Sequence, residues 1–160
     1  MRTLEQKVQQ LLDIEEVKNL IATYARGADR KNDPEIMAPL FSDDAVWECE
    51  GFGRYEGREA IAAGLGETGQ NDITWTLHYM ISPTVQINDD GLSGTGHYYL
   101  WELANMRGES GNIEACWAGG TYDVELVKRD ERWFFHYMRL NLKLIAPYDK
   151  GWKDGPIQSF

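Results

Sequence analysis

A single α+β domain, helices first and then a meander of long antiparallel strands, is what three features of this sequence predict. Helical periodicity is confined to the segments before Trp75. Four long stretches of strand character, parted by turn signals, fill the chain from Trp75 to Ile145. No helix separates those strands, which argues against a doubly wound βα fold and for a strongly curved sheet wrapped around a helix. A length of 160 residues suits one hydrophobic core. Residues 1–145 therefore read as one domain and residues 146–160 as an irregular tail.

The first helix spans Thr3 to Ala28. Ile14, Val17, Ile21, Tyr24 and Ala28 recur at three- and four-residue steps, while Glu15, Glu16, Lys18 and Asn19 take the other side. Asp33-Pro34-Glu35 supplies a capping side chain, a proline for the first helical turn and an early acid. It starts a short second helix to about Leu40, ended by Ser42-Asp43-Asp44. Ala45 to Glu50 alternates as a strand and turns through Gly51 to Gly57 into a short return strand. Arg58 to Leu65 is a third helix, followed by a polar, glycine-containing loop.

Trp75 to Asn88, with Pro83 inside it, and Leu92 to Met106 form the next strand pair across Asn88-Asp89-Asp90-Gly91. Ile113 to Val127 and Arg132 to Ile145 complete the meander, joined at Lys128-Arg129-Asp130-Glu131. Gly94, Gly96, Gly119 and Gly120 within these strands permit the bulges that bend a sheet. In the tail, Trp152 and Phe160 either anchor it over a pocket mouth or belong to a frayed or subunit-contacting terminus.

Charge and composition exclude several functions. The formal net charge is -10, from 26 acidic against 16 basic side chains, and no basic stripe interrupts it. Nucleic acid and anionic membranes are therefore not expected partners. The small basic clusters Arg30-Lys31 and Lys128-Arg129 each adjoin an Asp and read as solvated turns. Cys49 and Cys116 lack any metal-ligand spacing and read as buried free thiols. The N-terminus lacks a signal-peptide core and no run approaches the ~18 apolar residues of a membrane span, so a cytoplasmic protein is expected. Phosphate loops, nucleophile elbows and HExxH-type motifs do not occur.

Of the three histidines, His78 stands out, because Trp75-Thr76-Leu77-His78-Tyr79-Met80 would desolvate and orient its ring. His97 and His136 read as structural or surface residues. Asp29 looks misplaced on stability grounds, since an acid at a helix C-terminus meets the negative end of the macrodipole. It either pairs with Arg26 or Arg30 at the surface, or accepts the Nδ1 proton of His78 and so leaves Nε2 as a base. Tyr24, on the inward face of the same helix, is a core tyrosine or a hydroxyl donor into a cavity. Glu102 and Arg139 are charges in otherwise apolar strands, facing either water or a pocket. The aromatic fraction of 12% suits both a core and a ligand pocket.

The element order and several segments together resemble the SnoaL-like branch of the cone-shaped nuclear transport factor two superfamily. The segments are Ile14 to Leu20 leading to Tyr24 and Asp29, Asp43-Asp44-Ala45-Val46-Trp47, Gly53 to Ile61, and Gly119-Gly120-Thr121-Tyr122. Within that group the positions are most similar to those of hexachlorocyclohexane dehydrochlorinase, bile acid 7α-dehydratase and scytalone dehydratase, lyases with a His/Asp pair and no cofactor. The resemblance implies a catalytic set of His78, Asp29, Tyr24 and Arg139. It implies a pocket lined by Trp47, Trp75, Tyr98, Glu102 and Trp117, a cyclic or aromatic small-molecule substrate, no cofactor or metal, and a homotrimer. Elimination is the implied reaction. An isomerase or cyclase using the same base, a non-catalytic scaffold subunit and a ligand-binding protein are the competing readings, because fold does not fix chemistry.

Overall fold

The computed structural model describes residues 2–108 and 110–158. Helix α1, Leu4–Ala28, opens on a capping box in which Thr3 and Gln6 exchange side-chain and backbone hydrogen bonds. Its buried residues Val17, Ile21, Tyr24 and Ala28 are those the periodicity predicts. The backbone leaves α1 at Asp29 and reverses through Lys31 and Asn32, both in the left-handed region. Asp33 then caps the short α2, Pro34–Met37, by accepting the Glu35 N–H. A turn of 3-10 helix, Ala38–Leu40, leads directly into β1, Phe41–Cys49. The expectation that Ser42-Asp43-Asp44 ends the helix is thus corrected: the three residues are already strand. Ser42 is buried, and Asp43 and Asp44 face arginines, Arg58 and Arg129.

Strand β2, Gly53–Glu56, pairs back on β1, and α3 runs over Arg58–Asn71, about 1.7 turns beyond the expected end at Leu65. The glycines that suggested a loop have a packing reason inside the helix. A Cβ on Gly69 would lie 2.1 Å from the Lys31 carbonyl oxygen, so only glycine lets α3 reach the turn after α1.

Strands β3 (Ile73–Ile87), β4 (Ser93–Arg107), β5 (Ile113–Arg129) and β6 (Arg132–Pro147) form the expected antiparallel meander. The whole sheet runs β2-β1-β6-β5-β4-β3, and β1 pairs with β6 in parallel, so the sheet is mixed and not wholly antiparallel. Alternation within a strand carries no record of its neighbour's direction, which is why this pairing was hidden. Bulges between Ile81 and Thr84, Gly119 and Gly120, and Glu125 and Leu126 bend the sheet around α1. At Gly120 a Cβ would meet the Asn141 oxygen at 2.3 Å, so the bend there requires glycine.

One end of the cone is packed solid by Tyr98, Tyr122, Phe41 and Phe135 around Tyr24. Beyond them lies a buried ion pair. Lys128 Nζ donates to Asp13 Oδ1 at 2.9 Å, and Trp133 Nε1 donates to the same oxygen at 3.0 Å. Burial alone would raise the Asp13 carboxyl, but these donors outweigh it and hold it below its ordinary range, while Asp13 raises Lys128. Lys128 is therefore not part of a solvated turn; only Arg129, paired with Asp44, remains largely exposed. Both cysteines are buried and free. The tail closes on β6, where Ile145 bonds Pro156 and Gln158 through its backbone. Tyr148 and Trp152 pack on Trp117. Phe160 lies outside the described residues. Among the described residues no helix is long and apolar enough to cross a membrane.

Candidate active site

The open end of the cone holds a cavity between α1, α3 and the concave face of the sheet. Its free interior is about 80 Å³ and the whole concavity, mouth included, about 620 Å³. Leu65, Ile73, Leu140, Leu142 and Ile145 give it an apolar wall, into which Tyr24, Trp47, His78, Glu102 and Tyr122 are set.

Asp29 caps α1, and its carboxylate crosses to β3. Oδ1 accepts the backbone N–H of His78 at 2.7 Å and faces its ring Nδ1 at 3.0 Å. Two donors thus meet the acid that the helix dipole alone would disfavour. The contact sets the tautomer, because Nδ1 must carry the proton to bond an ionised carboxylate, which leaves Nε2 as the acceptor of a neutral ring. The His78 and Asp29 side chains are 10% and 28% exposed, and His78 is on the cavity wall. Arg26 binds Thr23, so the surface pairing of Asp29 with Arg26 is not the one formed.

Glu102 stands directly across from His78 on β4, with its Oε1 3.5 Å from Nε2. Thr76, two residues before His78 and on the same face of β3, donates its hydroxyl to that oxygen at 2.6 Å. Period-two counting from His78 would have found Thr76, which sequence reasoning passed over. Tyr24 accepts the indole N–H of Trp47 at 3.1 Å, and the ring of Tyr122 packs edge-on against its own. The Tyr24 hydroxyl is the acceptor in the bond from Trp47, which leaves its own proton to be donated into the cavity. Burial pushes the Tyr24 phenol up to about 12, so it keeps that proton at neutral pH and acts as a hydrogen-bond donor. Tyr122 was noticed only as part of a fold motif.

Four expected residues fall elsewhere. Arg139 is 57% exposed and bonds Glu48 on the outer face, because the bulge at Glu125/Leu126 shifts the inward parity of β6 to Met138, Leu140 and Leu142. Trp75 is three residues from His78, hence on the opposite face, and exposed. Trp117 likewise points outward, stacked on Trp101 and tilted against Tyr148. Tyr98 faces inward but deeper, fully buried and stacked on Tyr122 away from the cavity wall. Trp47, Glu102, Tyr24, His78 and Asp29 are brought together. Among the described residues no group of three or more His, Cys, Asp or Glu is placed to hold a metal ion.

The model of the SnoaL-like domain family matches residues 9–139. The chain belongs to that family. No curated protein matches it by sequence. Among solved structures it is similar to LinA, at 20% identity with a TM-score of 0.79 over 88% of this chain and 92% of that one. A LinA-type3 hexachlorocyclohexane dehydrochlorinase from Novosphingobium barchaimii is 21% identical, TM-score 0.78, over 88% and 93% of the two chains. A candidate scytalone dehydratase from Novosphingobium aromaticivorans is 18% identical, TM-score 0.77, over 89% and 91%. At these identities the likeness establishes the cone-shaped α+β fold of this SnoaL-like chain.

Proposed function

We propose that this SnoaL-like protein is a lyase that eliminates water or halide from a cyclic, largely apolar small molecule, using only protein groups. The observation that carries this reading is His78, held through Nδ1 by Asp29 on the wall of an apolar cavity, with Nε2 beside Glu102. Asp29 fixes the tautomer and stabilises the imidazolium that forms. His78 Nε2 takes a proton from a carbon next to a carbonyl or to the carbon bearing the leaving group. The electron pair enters the new double bond and the leaving group departs. Tyr24 donates a hydrogen bond to the oxygen on which charge develops, the role for which the Trp47 indole orients it. The apolar wall of the cavity supports this substrate class, as do the names of the dehydrochlorinase and dehydratase whose fold this chain shares. A scaffold subunit would fill such a cone with apolar side chains, whereas three ionisable groups converge in this one. Trp75, Tyr79, Ile81 and Tyr99 expose aromatic and apolar area on the outer sheet face, in keeping with the homotrimer expected for the family.

The test is turnover of a panel of cyclic β-hydroxy and β-halo ketones, read by the ultraviolet absorbance of the enone. Enone formed by the wild type and lost in Asp29→Asn supports the proposal. Inertness towards the whole panel, or a product of unchanged mass, removes elimination and favours binding or isomerisation.

A further inference from the structure

Glu102 has no task in the proton abstraction just described, yet it is 9% exposed and lies on the cavity wall. Among the described residues its only ionic partner is His78. The strand register sets the two face to face, and Thr76 fixes Oε1 with its single hydroxyl proton at 2.6 Å. That oxygen and His78 Nε2 are 3.5 Å apart, and an approach of half an ångström makes a hydrogen bond. Nδ1–H is committed to Asp29, so the Nε2 of a neutral ring is an acceptor, and an ionised Glu102 offers only acceptors. One proton placed between these two acceptors would join them by a hydrogen bond. The other ionisable groups near Glu102 do not compete for it. Burial keeps the phenols of Tyr24 and Tyr122 and the thiol of Cys116 protonated, and Asp29 is engaged by the far side of the ring.

We propose that Glu102 is the acid partner of His78, so that the pair removes a proton and supplies one in the same turnover. The inference rests on the elimination reading and specifies the leaving group as an oxygen that must be protonated to depart. In the loaded site Glu102 carries the shared proton. The C–H bond breaks as an N–H bond forms at Nε2, and the C–H electron pair becomes the new C=C bond. The C–O bond breaks with its electrons on oxygen, and the Glu102 O–H proton passes to that oxygen, releasing water. The Nε2–H bond then breaks and its proton returns to Glu102 Oε1, restoring the pair with no net gain or loss. The Tyr24 proton is free to stay on the carbonyl oxygen throughout. Substrates of this class are cyclic β-hydroxy ketones rather than halides.

A β-hydroxy cyclic ketone and its β-chloro analogue test this, since both give the same enone and only hydroxide needs a proton to leave. Glu102→Gln is expected to slow loss of hydroxide by about 10²-fold or more and loss of chloride by less than about tenfold, with KM little changed. Thr76→Val is expected to shift the ratio the same way by a smaller factor. Equal slowing of both reactions by Glu102→Gln, or of neither, overturns the proposal. A nitrogen-15 spectrum of the His78 ring decides the shared proton without any substrate. Glu102→Gln must move the Nε2 resonance and leave Nδ1 in place, and an indifferent Nε2 overturns the proposal even in an active enzyme. Wild-type inertness towards both ketones would instead defeat the elimination reading, leaving the ring spectrum to decide the proton sharing.

Discussion

Two of the histidine–aspartate pairs among the described residues share nearly the same local geometry and have opposite surroundings. His97 Nδ1 and Asp123 Oδ1 are 2.7 Å apart on the outer face of the sheet, with side chains 43% and 56% exposed. His78 and Asp29 are 3.0 Å apart, and His78 opens on the apolar cavity. The outer contact is the shorter of the two and the less useful, because water screens its charges and solvates any base beside it. Asp29 also accepts a backbone N–H from the residue it orients, whereas the Asp123 carboxylate is shared with Asn141. A hydrogen bond between the right residue types does not make a site; a fixed ring on the wall of an apolar cavity does.

The sharpest way to break this comparison is to remove each acid. Asp29→Asn is expected to lower kcat by about 10³-fold or more with the fold intact, since the tautomer is no longer imposed. Asp123→Asn is expected to change it by less than about twofold. Steady-state kinetics beside circular dichroism check both. Unfolding of Asp29→Asn would return Asp29 to a structural role, and comparable losses in the two variants would erase the distinction.

A third carboxylate extends the contrast, because Asp13 is more buried than Asp29 and serves no cavity of its kind. Lys128→Met is expected to destabilise the fold by about 3 kcal/mol, the scale for stranding a buried charge, while leaving kcat within about twofold. Urea denaturation measures the first and kinetics the second. The sign of the pH dependence follows from the shifts. The Asp13 carboxyl is lower in the folded than in the unfolded chain, so its contribution is full above its ordinary range and fades as the pH falls through the folded value. Lys128 is raised, so its part is full below the ordinary lysine range and fades only as the pH rises beyond it. Wild type and Asp13→Asn should therefore converge in stability in acid.

These three pairs also mark what a sequence can disclose. Val17, Ile21, Tyr24 and Ala28 could be placed by helical period, and Asp29 by its conflict with the dipole, because both signals are local. His78 was legible from the apolar run around it. Lys128 was not, since its partner Asp13 is 115 residues away. Arg139 could face water or a pocket on local signals alone, and the resemblance that put it in the site does not show the bulge that turns it outward. The end of α3 was placed at Leu65 because glycine within a helix reads as a break, and the turn it packs against is known only from the fold. Parallel pairing of β1 with β6 depends likewise on where the chain returns, not on either strand alone.

Tyr24 yields the smallest of the expected effects on the inner pair, and the one that separates chemistry from binding. Its hydroxyl accepts from Trp47 and offers one proton, so Tyr24→Phe removes a hydrogen bond to the reacting molecule and also strands Trp47 Nε1. A donor aimed at developing charge should lower kcat by about 10- to 100-fold with KM changed by less than about threefold. Loss of affinity alone would assign Tyr24 to substrate binding. Trp47→Phe removes a donor to Tyr24 without touching the hydroxyl, so a smaller fall in kcat with the same KM would show that the orientation of the phenol, and not its presence alone, is what the aromatic floor of the cavity provides.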